Sequence, residues 1–288
     1  MDNPGRLKKI LDESEYLLVV SSYDALSARV IEAVGFKVVA TSGFSIAASL
    51  LGKPDAGLMT VTENLSTVRN IINAVDIPLI ADIDTGYGNA INVMRTVEEF
   101  ERAGVAAVLL EDQVEPKKCP VGHAVETVSV EEMVGKIRAA VSVRKNPDFL
   151  IVARTDAKGE EAIRRGKRYL DAGADMIKPG NKCFQSLEEI KHFANQFPGK
   201  SYIAVVAWME KSLRLEDIVN AGVKIVSFPL FSVLSTTKSL FEGLQYLRDN
   251  QWTPVPNDRT YPMADFFRFI GMGDIIEKEK RYLALSGK

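Results

Sequence analysis

The sequence predicts a TIM barrel, the (β/α)8 fold, and three observations lead to this prediction. Eight short apolar runs recur along the chain, and a longer segment with helical periodicity follows each of them. The apolar character of the runs is continuous and does not alternate, as expected for parallel strands that are buried on both faces. Several helical segments end in Ala-Gly or Val-Gly just before the next run, which is a helix-termination signal. Eight such alternations favour a barrel over the alternative, a doubly wound open sheet.

The predicted elements follow one another in a regular order. The eight strands fall within residues 17–24, 37–44, 78–86, 106–113, 149–157, 174–180, 202–209 and 224–230. The clearest helices between them span 92–104, 130–144 and 160–173. Residues 250–288 follow the eighth unit as a C-terminal helical extension, so the prediction is a single barrel domain over 1–288. The extension either packs on its own barrel or is swapped onto a neighbouring subunit.

The composition is typical of a globular enzyme-sized domain. The chain has 288 residues, of which 46% are hydrophobic, and a formal net charge of −2. Because Lys and Arg are spread along the chain, we expect neither a nucleic-acid partner nor attachment to a membrane surface. No apolar run approaches the roughly 18 residues of a membrane span, and the polar N-terminus is unlike a signal peptide. The two cysteines have no metal-type spacing and suit a reducing compartment, so we expect a cytoplasmic location.

Acidic residues accumulate where the predicted strands end. Asp82 and Asp84 end the third strand and Glu111 ends the fourth, at the face of a barrel where active sites form. Buried carboxylates raise one another's pKa unless a cation neutralises them. With only two histidines in the chain, oxygen ligands would dominate, which favours Mg²⁺ or Mn²⁺. The alternative is that these acids cap helices or pair with Arg154.

The stretch ADIDTGYGN, residues 81–89, suggests how two of these acids meet. Side chains alternate with period two along a strand, so Asp82 and Asp84 are expected to share one face. Glycine at positions 86 and 88 would allow a tight turn directly after them. Tyr87, between the glycines, is either a wall of the pocket or part of the core.

Six motifs carry a family resemblance, and together they span most of the chain. They are YDALSARVIEAVGF (23–36), TSGF (41–44), GKPDAG (52–57), ADIDTGYGN (81–89), LEDQVEPKKC (110–119) and ARTDA (153–157). With them, the chain resembles the isocitrate lyase/phosphoenolpyruvate mutase superfamily, and most of all its methylisocitrate lyase and carboxyphosphonoenolpyruvate mutase branches. The resemblance implies a helix-swapped barrel in a homo-oligomer, a dimer or a dimer of dimers, and a Mg²⁺ ion that binds a small α-keto or hydroxy acid.

The resemblance also implies roles for individual residues. Asp82, Asp84 and Glu111 match the metal ligands, while Ser42 and Gly43 match groups that hold the pyruvyl carboxylate and oxygen. The other matching positions contact the substrate or lie on a loop beside it; they are Tyr23, Arg154 and Asp55. We therefore expect Tyr23 and Arg154 to be catalytic and Asp55 to be substrate-binding.

The segment 111–132 matches a mobile lid whose cysteine acts as a general acid or base. Here that cysteine is Cys119, and two flanking lysines would lower its pKa. Cleavage of a C–C bond beside a carbonyl leaves an enolate, which an acid must protonate. The following substrate-binding pair, Gly122 and His123, is separated from Cys119 by an inserted Pro-Val, so a cysteine without a catalytic role is the alternative.

Two strand ends depart from the lyase pattern. The sixth strand has Lys178 where the lyase branch usually has a glutamate, and the seventh lacks the usual asparagine. Lys178 is therefore expected either to meet a carboxylate or phosphonate of the substrate or to point away.

The resulting prediction is a Mg²⁺-dependent C–C lyase that acts on a 2-hydroxy or 2-keto dicarboxylate through an enolate. The alternatives are P–C chemistry of the phosphoenolpyruvate mutase or phosphonopyruvate hydrolase type, an oxaloacetate-type decarboxylase, and a metabolite-binding barrel without turnover.

Overall fold

Eight parallel strands form one sheet in the computed structural model, which describes residues 1–118, 125–180, 182–250 and 260–283. In chain order they are β1 Leu17–Ser22, β2 Val39–Thr41, β3 Leu79–Asp82, β4 Ala107–Glu111, β5 Leu150–Thr155, β6 Met176–Pro179, β7 Tyr202–Ala204 and β8 Ile225–Phe228. The sheet order is β6-β5-β4-β3-β2-β1-β8-β7. A parallel bridge from Ile177 to Ser201 joins the remaining two edges, so the sheet closes into a barrel. The predicted TIM barrel is confirmed, and the doubly wound alternative is wrong.

Helices follow the strands in the expected alternation. They are α1 Asn3–Glu13, α2 Ala25–Ala33, α3 Gly43–Leu51, α4 Val61–Ile72, α5 Ala90–Arg102, α6 Val130–Val143, α7 Gly159–Asp171, α8 Leu187–Gln196, α9 Ala207–Ser212, α10 Leu215–Asn220, α11 Phe231–Asp249, α12 Met263–Phe269 and α13 Met272–Leu283. The three helices predicted most clearly correspond to α5, α6 and α7.

Side-chain caps fix where several helices begin. Asp24 accepts a hydrogen bond from the Ser27 N–H, and Ser27 bonds back, so α2 starts directly after β1. Thr60 and Glu63 form the same reciprocal pair at the start of α4. Such caps satisfy N–H groups that a helix cannot pair internally. They bring helix N-termini to the carboxyl end of the barrel.

The core has two layers because the strands are apolar on both faces. One layer lies between the strands and the surrounding helices and includes Phe100, Tyr169 and Phe193, all fully buried. The other fills the barrel interior, where Leu7 of α1 packs with inward-facing residues such as Ile80. Helix α1 therefore packs against the interior layer.

The chain divides into two compact units, Met1–Val233 and Leu234–Lys288. Helices α12 and α13 lie within residues 250–288, and the second unit begins earlier than that range. None of the residues of α11, α12 and α13 is buried. Several are large and apolar, such as Phe241, which is 72% exposed. In the described part of the chain, no helix is long and apolar enough to cross a membrane.

Candidate active site

The predicted site residues lie on neighbouring strands of the barrel. Glu111 of β4 is paired in register with Arg154 of β5, and Arg154 is paired with Lys178 of β6. Asp82 is the last residue of β3, and Ser42 directly follows β2. Because parallel strands end at one rim, these side chains meet at the carboxyl end of the barrel.

Asp84 reaches the same place by a route that the sequence argument missed. Strand β3 ends at Asp82, and Asp84 has a left-handed backbone with φ of 51°, so strand alternation does not place it. Its N–H instead donates a hydrogen bond to Asp82 Oδ1 at 3.1 Å. A run of positive φ values at Gly86, Tyr87 and Gly88 completes the tight turn. The period-two explanation is wrong, although the two carboxylates do converge.

Two hydrogen-bond donors, the Tyr87 hydroxyl and the Gly43 N–H, fix the positions of these carboxylates. The hydroxyl of Tyr87 donates to Asp84 Oδ2 at 3.3 Å and accepts from the side-chain amide of Asn64 at 2.7 Å. The N–H of Gly43 donates to Asp82 Oδ2 at 3.0 Å. A Cβ atom at residue 43 would lie 2.6 Å from Asp84 Oδ1, so this position has no room for a side chain. Tyr87 therefore both packs on the core and positions Asp84.

Lys117 brings a cation into the acidic cluster. Its buried ammonium pairs with Asp84, with Asp55 at 2.9 Å and with Glu111 at 3.6 Å. In the sequence, Lys117 stands out only as one of the two lysines beside Cys119. The signal that could have found this role was the surplus of acids at the rim, because buried carboxylates need a cation close by.

The pKa values of the three acids are shifted in different directions. Burial raises the pKa of Asp84 to about 6, despite the attraction of Lys117. Burial likewise raises the pKa of Glu111 to about 7, despite Arg154 and Lys117. Burial also acts on Asp82, but Lys117 and the N–H of Gly43 outweigh it, and the pKa of Asp82 lies below its ordinary value. The cluster therefore holds more negative charge than its own cations stabilise.

The donor set fits a divalent cation. The carboxylates and cations of the cluster are Asp55, Asp82, Asp84, Glu111 and Asp156 against Lys117, Arg154 and Lys178. Five acids against three bases leave a formal charge of −2, which one divalent ion would balance. Oε1 of Glu111 is buried and accepts no hydrogen bond within the described residues. Among the described residues, no three His, Cys, Asp or Glu side chains are placed so that together they could hold a metal ion. Mg²⁺ needs only one or two carboxylates and keeps several waters, so the residues suit it.

A second group of side chains lines the cavity beside this cluster. Arg154 bridges Glu111 and Asp156, with both ion pairs at 2.9 Å. Lys178 is 6% exposed, and its ammonium lies 5.3 Å from the centre of the Tyr202 ring. Burial, with the nearby charge of Arg154, lowers the pKa of Lys178 to about 8. Lys178 lines the cavity, so it does not point away from the site.

Of three further predicted site residues, Ser42 and Asp55 line the cavity and Tyr23 does not. Ser42 lines the cavity and its side chain caps α3, and Asp55 also lines the cavity. Tyr23 is half-buried just after β1, with its N–H bonded to Ser27 Oγ at 3.1 Å. Among the described residues Tyr23 is not part of the cavity lining. Its catalytic role stays a prediction.

The predicted lid is described only at its two ends. Cys119, Gly122 and His123 lie outside the described residues. Residues 112–114 and 126–128 pair in an antiparallel manner through Val114 N–H to Glu126 O at 2.9 Å and Val128 N–H to Asp112 O at 2.8 Å. The segment is therefore anchored by a short stem next to β4.

A closed (β/α)8 barrel with acids, cations and a cavity at its carboxyl rim defines a barrel enzyme for small anionic ligands. The sequence pattern of the family described as phosphoenolpyruvate phosphomutase matches residues 7–246. The chain is 40% identical to 2,3-dimethylmalate lyase of Eubacterium barkeri, over 98% of this chain and 99% of the relative. It is 36% identical to 2-methylisocitrate lyase of Aeropyrum pernix, over 100% of this chain and 93% of the relative.

A solved structure agrees with these sequence matches. The complex of phosphonopyruvate hydrolase with oxalate and Mg²⁺ superposes with a TM-score of 0.88 at 31% identity, covering 98% of this chain and 100% of the other. The chain belongs to the isocitrate lyase/phosphoenolpyruvate mutase superfamily and is an enzyme of its lyase group. The resemblance noted in the sequence is confirmed.

Proposed function

We propose that this protein is a Mg²⁺-dependent C–C lyase that acts on a small 2-hydroxy or 2-keto dicarboxylate. The observation that carries the proposal is the convergence of Asp82, Asp84 and Glu111 on one buried cation, the ammonium of Lys117. Support comes from the 40% identical relative, which is named for a dicarboxylate, and from the phosphonopyruvate hydrolase structure, which holds oxalate and Mg²⁺.

In this proposal the metal ligands are Asp82, Asp84 and Glu111. When bound, Mg²⁺ supplies a Lewis acid that stabilises developing negative charge on the substrate. Gly43 serves the site through its backbone N–H, which holds Asp82 in position. The hydroxyl of Ser42 lines the cavity and binds the keto-acid carboxylate.

Arg154 provides a fixed positive charge next to that carboxylate. Its two ion pairs, with Glu111 and Asp156, hold the guanidinium plane in one orientation. Arginine keeps its charge at any physiological pH and presents its donors in a rigid fork. Arg154 therefore orients the substrate, and Tyr23 at the end of β1 is proposed to assist from the rim.

The proton donor in this proposal is Cys119, on the lid that spans 111–132. Bond cleavage leaves an enolate carbon that must receive a proton, and a closed lid would exclude water. Gly122 and His123 are proposed to complete the closed lid.

We expect Cys119→Ser to lower kcat by at least 100-fold while oxalate still binds with Mg²⁺. A variant with the wild-type kcat would remove Cys119 from the mechanism. A thiol in this role needs a reducing compartment, which fits a cytoplasmic location.

Turnover tests the proposal directly. The enzyme should release a 2-keto acid from 2-hydroxy or 2-keto dicarboxylates when Mg²⁺ is present, and EDTA should abolish the release. A dehydrogenase-coupled assay measures the product. The C–C lyase proposal fails if no such dicarboxylate is cleaved by protein that is folded and binds oxalate with Mg²⁺.

The second candidate is P–C bond cleavage, which the cationic side chain of Lys178 in the cavity favours. A phosphonate carries more negative charge than a carboxylate, and a buried ammonium would stabilise it. The structural similarity to phosphonopyruvate hydrolase supports the same reading. Release of inorganic phosphate from phosphonopyruvate, measured beside the dicarboxylate assay, separates the two candidates.

The exposed apolar residues of the C-terminal unit support a homo-oligomer. Phe241, Ile275 and Leu283 are at least half exposed on α11 and α13. Large apolar side chains that are exposed in such numbers are typical of an interaction site. We propose that a second copy covers it by helix swapping, in a dimer of dimers. A solution mass of one chain, measured by light scattering, would contradict this.

A further inference from the structure

Among the described residues, Lys178 differs from the other two cations of the site because no carboxylate lies within ion-pair distance of its ammonium. Lys117 forms ion pairs with Asp84, Asp55 and Glu111. Arg154 forms ion pairs with Glu111 and Asp156. Within the part of the chain that the structure describes, the Lys178 ammonium forms no ion pair. Its contact is with the face of the Tyr202 ring, 5.3 Å away.

An ammonium left in this position is costly. Lys178 is 6% exposed, and a buried charge without a partner loses most of its hydration. A cation–π contact repays part of that loss, roughly 0.5–2 kcal/mol. The rest of the lost hydration free energy is compensated if an anionic group of a ligand enters the cavity and pairs with the ammonium. Functional sites often keep such unfavourable groups because the ligand compensates them.

Lys178 lines the same cavity as Asp82 but lies on a different strand from the proposed metal ligands. Asp82 lies on β3 and Glu111 on β4, whereas Lys178 lies on β6, beyond Arg154 of β5. A ligand whose keto-acid end is held at β3 and β4 would therefore bring its opposite end towards Lys178. The cavity wall also contains apolar side chains, which are Phe44, Leu109, Pro229 and Leu230.

We propose that Lys178 binds the second carboxylate of the substrate and selects dicarboxylates, including those with short alkyl branches, over tricarboxylates. This inference rests on the proposed function, because it takes the keto-acid end to lie at the metal. Arg154 and Lys178 are the only basic residues among the described cavity lining, and Arg154 already serves its two ion pairs and the keto-acid carboxylate. A third carboxylate would have no cation there and would be repelled by Asp55 and Asp82. The methyl groups of a branched substrate would contact the apolar side chains of this wall.

The test compares two variants of neighbouring lysines by titration calorimetry with Mg²⁺ present. Lys178→Gln removes the buried charge, and Lys182→Gln removes an exposed charge nearby as the control. The probes are oxalate, which occupies only the keto-acid end, and malate, a C4 dicarboxylate. We expect Lys178→Gln to weaken malate binding by about 10- to 100-fold, the effect of losing one hydrogen bond between charged groups. Oxalate binding should change by less than about 3-fold, and the control should match the wild type for both probes.

Each outcome has a distinct meaning. Equal malate affinity in Lys178→Gln and wild type, with oxalate binding retained, overturns the inference alone. Equal weakening of malate and oxalate also overturns it, because Lys178 would then act on the keto-acid end. If the wild-type protein binds neither probe with Mg²⁺, the proposed function itself fails. The wild type provides a check that needs no variant: malate should bind at least 10-fold more tightly than the tricarboxylate isocitrate, and the reverse order overturns the inference.

Discussion

Asp84→Asn is expected to lower turnover by at least 1,000-fold and to leave the folded protein as stable as before. The asparagine keeps the shape of the side chain but removes one charge from the proposed metal site. A Lewis acid contributes several kcal/mol to transition-state stabilisation, and 1,000-fold corresponds to about 4 kcal/mol. The measurement is kcat with saturating Mg²⁺, together with the melting temperature of metal-free protein.

Stability should not fall because the folded protein already disfavours the ionised form of Asp84. Burial raises its pKa to about 6, so the charge destabilises the metal-free fold at neutral pH. Lys117 keeps Asp55 and Glu111 as partners in the variant. The matched control is Asp171→Asn, an exposed acid at the end of α7, which should leave both quantities unchanged. Wild-type turnover in Asp84→Asn would exclude Asp84 as a metal ligand.

Arg165→Met is expected to destabilise the protein by about 3–5 kcal/mol, the usual result of breaking a buried ion pair. Asp112 is fully buried, and Arg165 Nη1 donates to its Oδ2 at 3.1 Å. The same nitrogen donates to Val128 O at 2.9 Å and to the Tyr169 hydroxyl at 3.2 Å. Arg165 thus ties α7 to both ends of the lid stem. Its loss would leave the Asp112 carboxylate with the Tyr169 hydroxyl, the Thr155 side chain and the backbone N–H of Asp156 as neutral partners.

The neighbouring arginine gives a close control for this prediction. Arg164 pairs with Glu161 on the same helix, but its side chain is 58% exposed. Arg164→Met should therefore cost at most about 1 kcal/mol. Urea unfolding of the metal-free variants measures the difference. Similar losses in the two variants would show that the Asp112 pair contributes no more than a surface pair.

The barrel could be predicted because its strands carry their own signal. Continuous apolar runs such as LLVV, residues 17–20, are typical of strands buried on both faces, and their short length favours strands over helices. The positions of Glu111, Arg154 and Lys178 at strand ends followed from that count alone, since parallel strands end at one rim.

Two features of the site could not be predicted from the pattern. Asp84 lies beyond the end of β3 in a left-handed turn, where strand periodicity no longer sets the direction of a side chain. Lys117 reaches the acids from a loop, and its pairing depends on contacts 33 and 62 positions away in sequence, with Asp84 and Asp55. Local propensity does not determine such long-range contacts. The second unit starts inside α11, and the sequence carries no signal for this boundary because α11 reads as the helix of the eighth unit.

The most direct test of the account is thermal unfolding with oxalate, an analogue of the pyruvate enolate, in the presence and absence of Mg²⁺. Oxalate at about 100 times its Kd should add roughly 2.7 kcal/mol to the free energy of unfolding. The account predicts this increase only when oxalate and Mg²⁺ are present together, because the carboxylates of Asp82, Asp84 and Glu111 would otherwise repel the anion. An equal shift with oxalate alone, or no shift in folded protein with both, would contradict the assignment of these residues as a metal site.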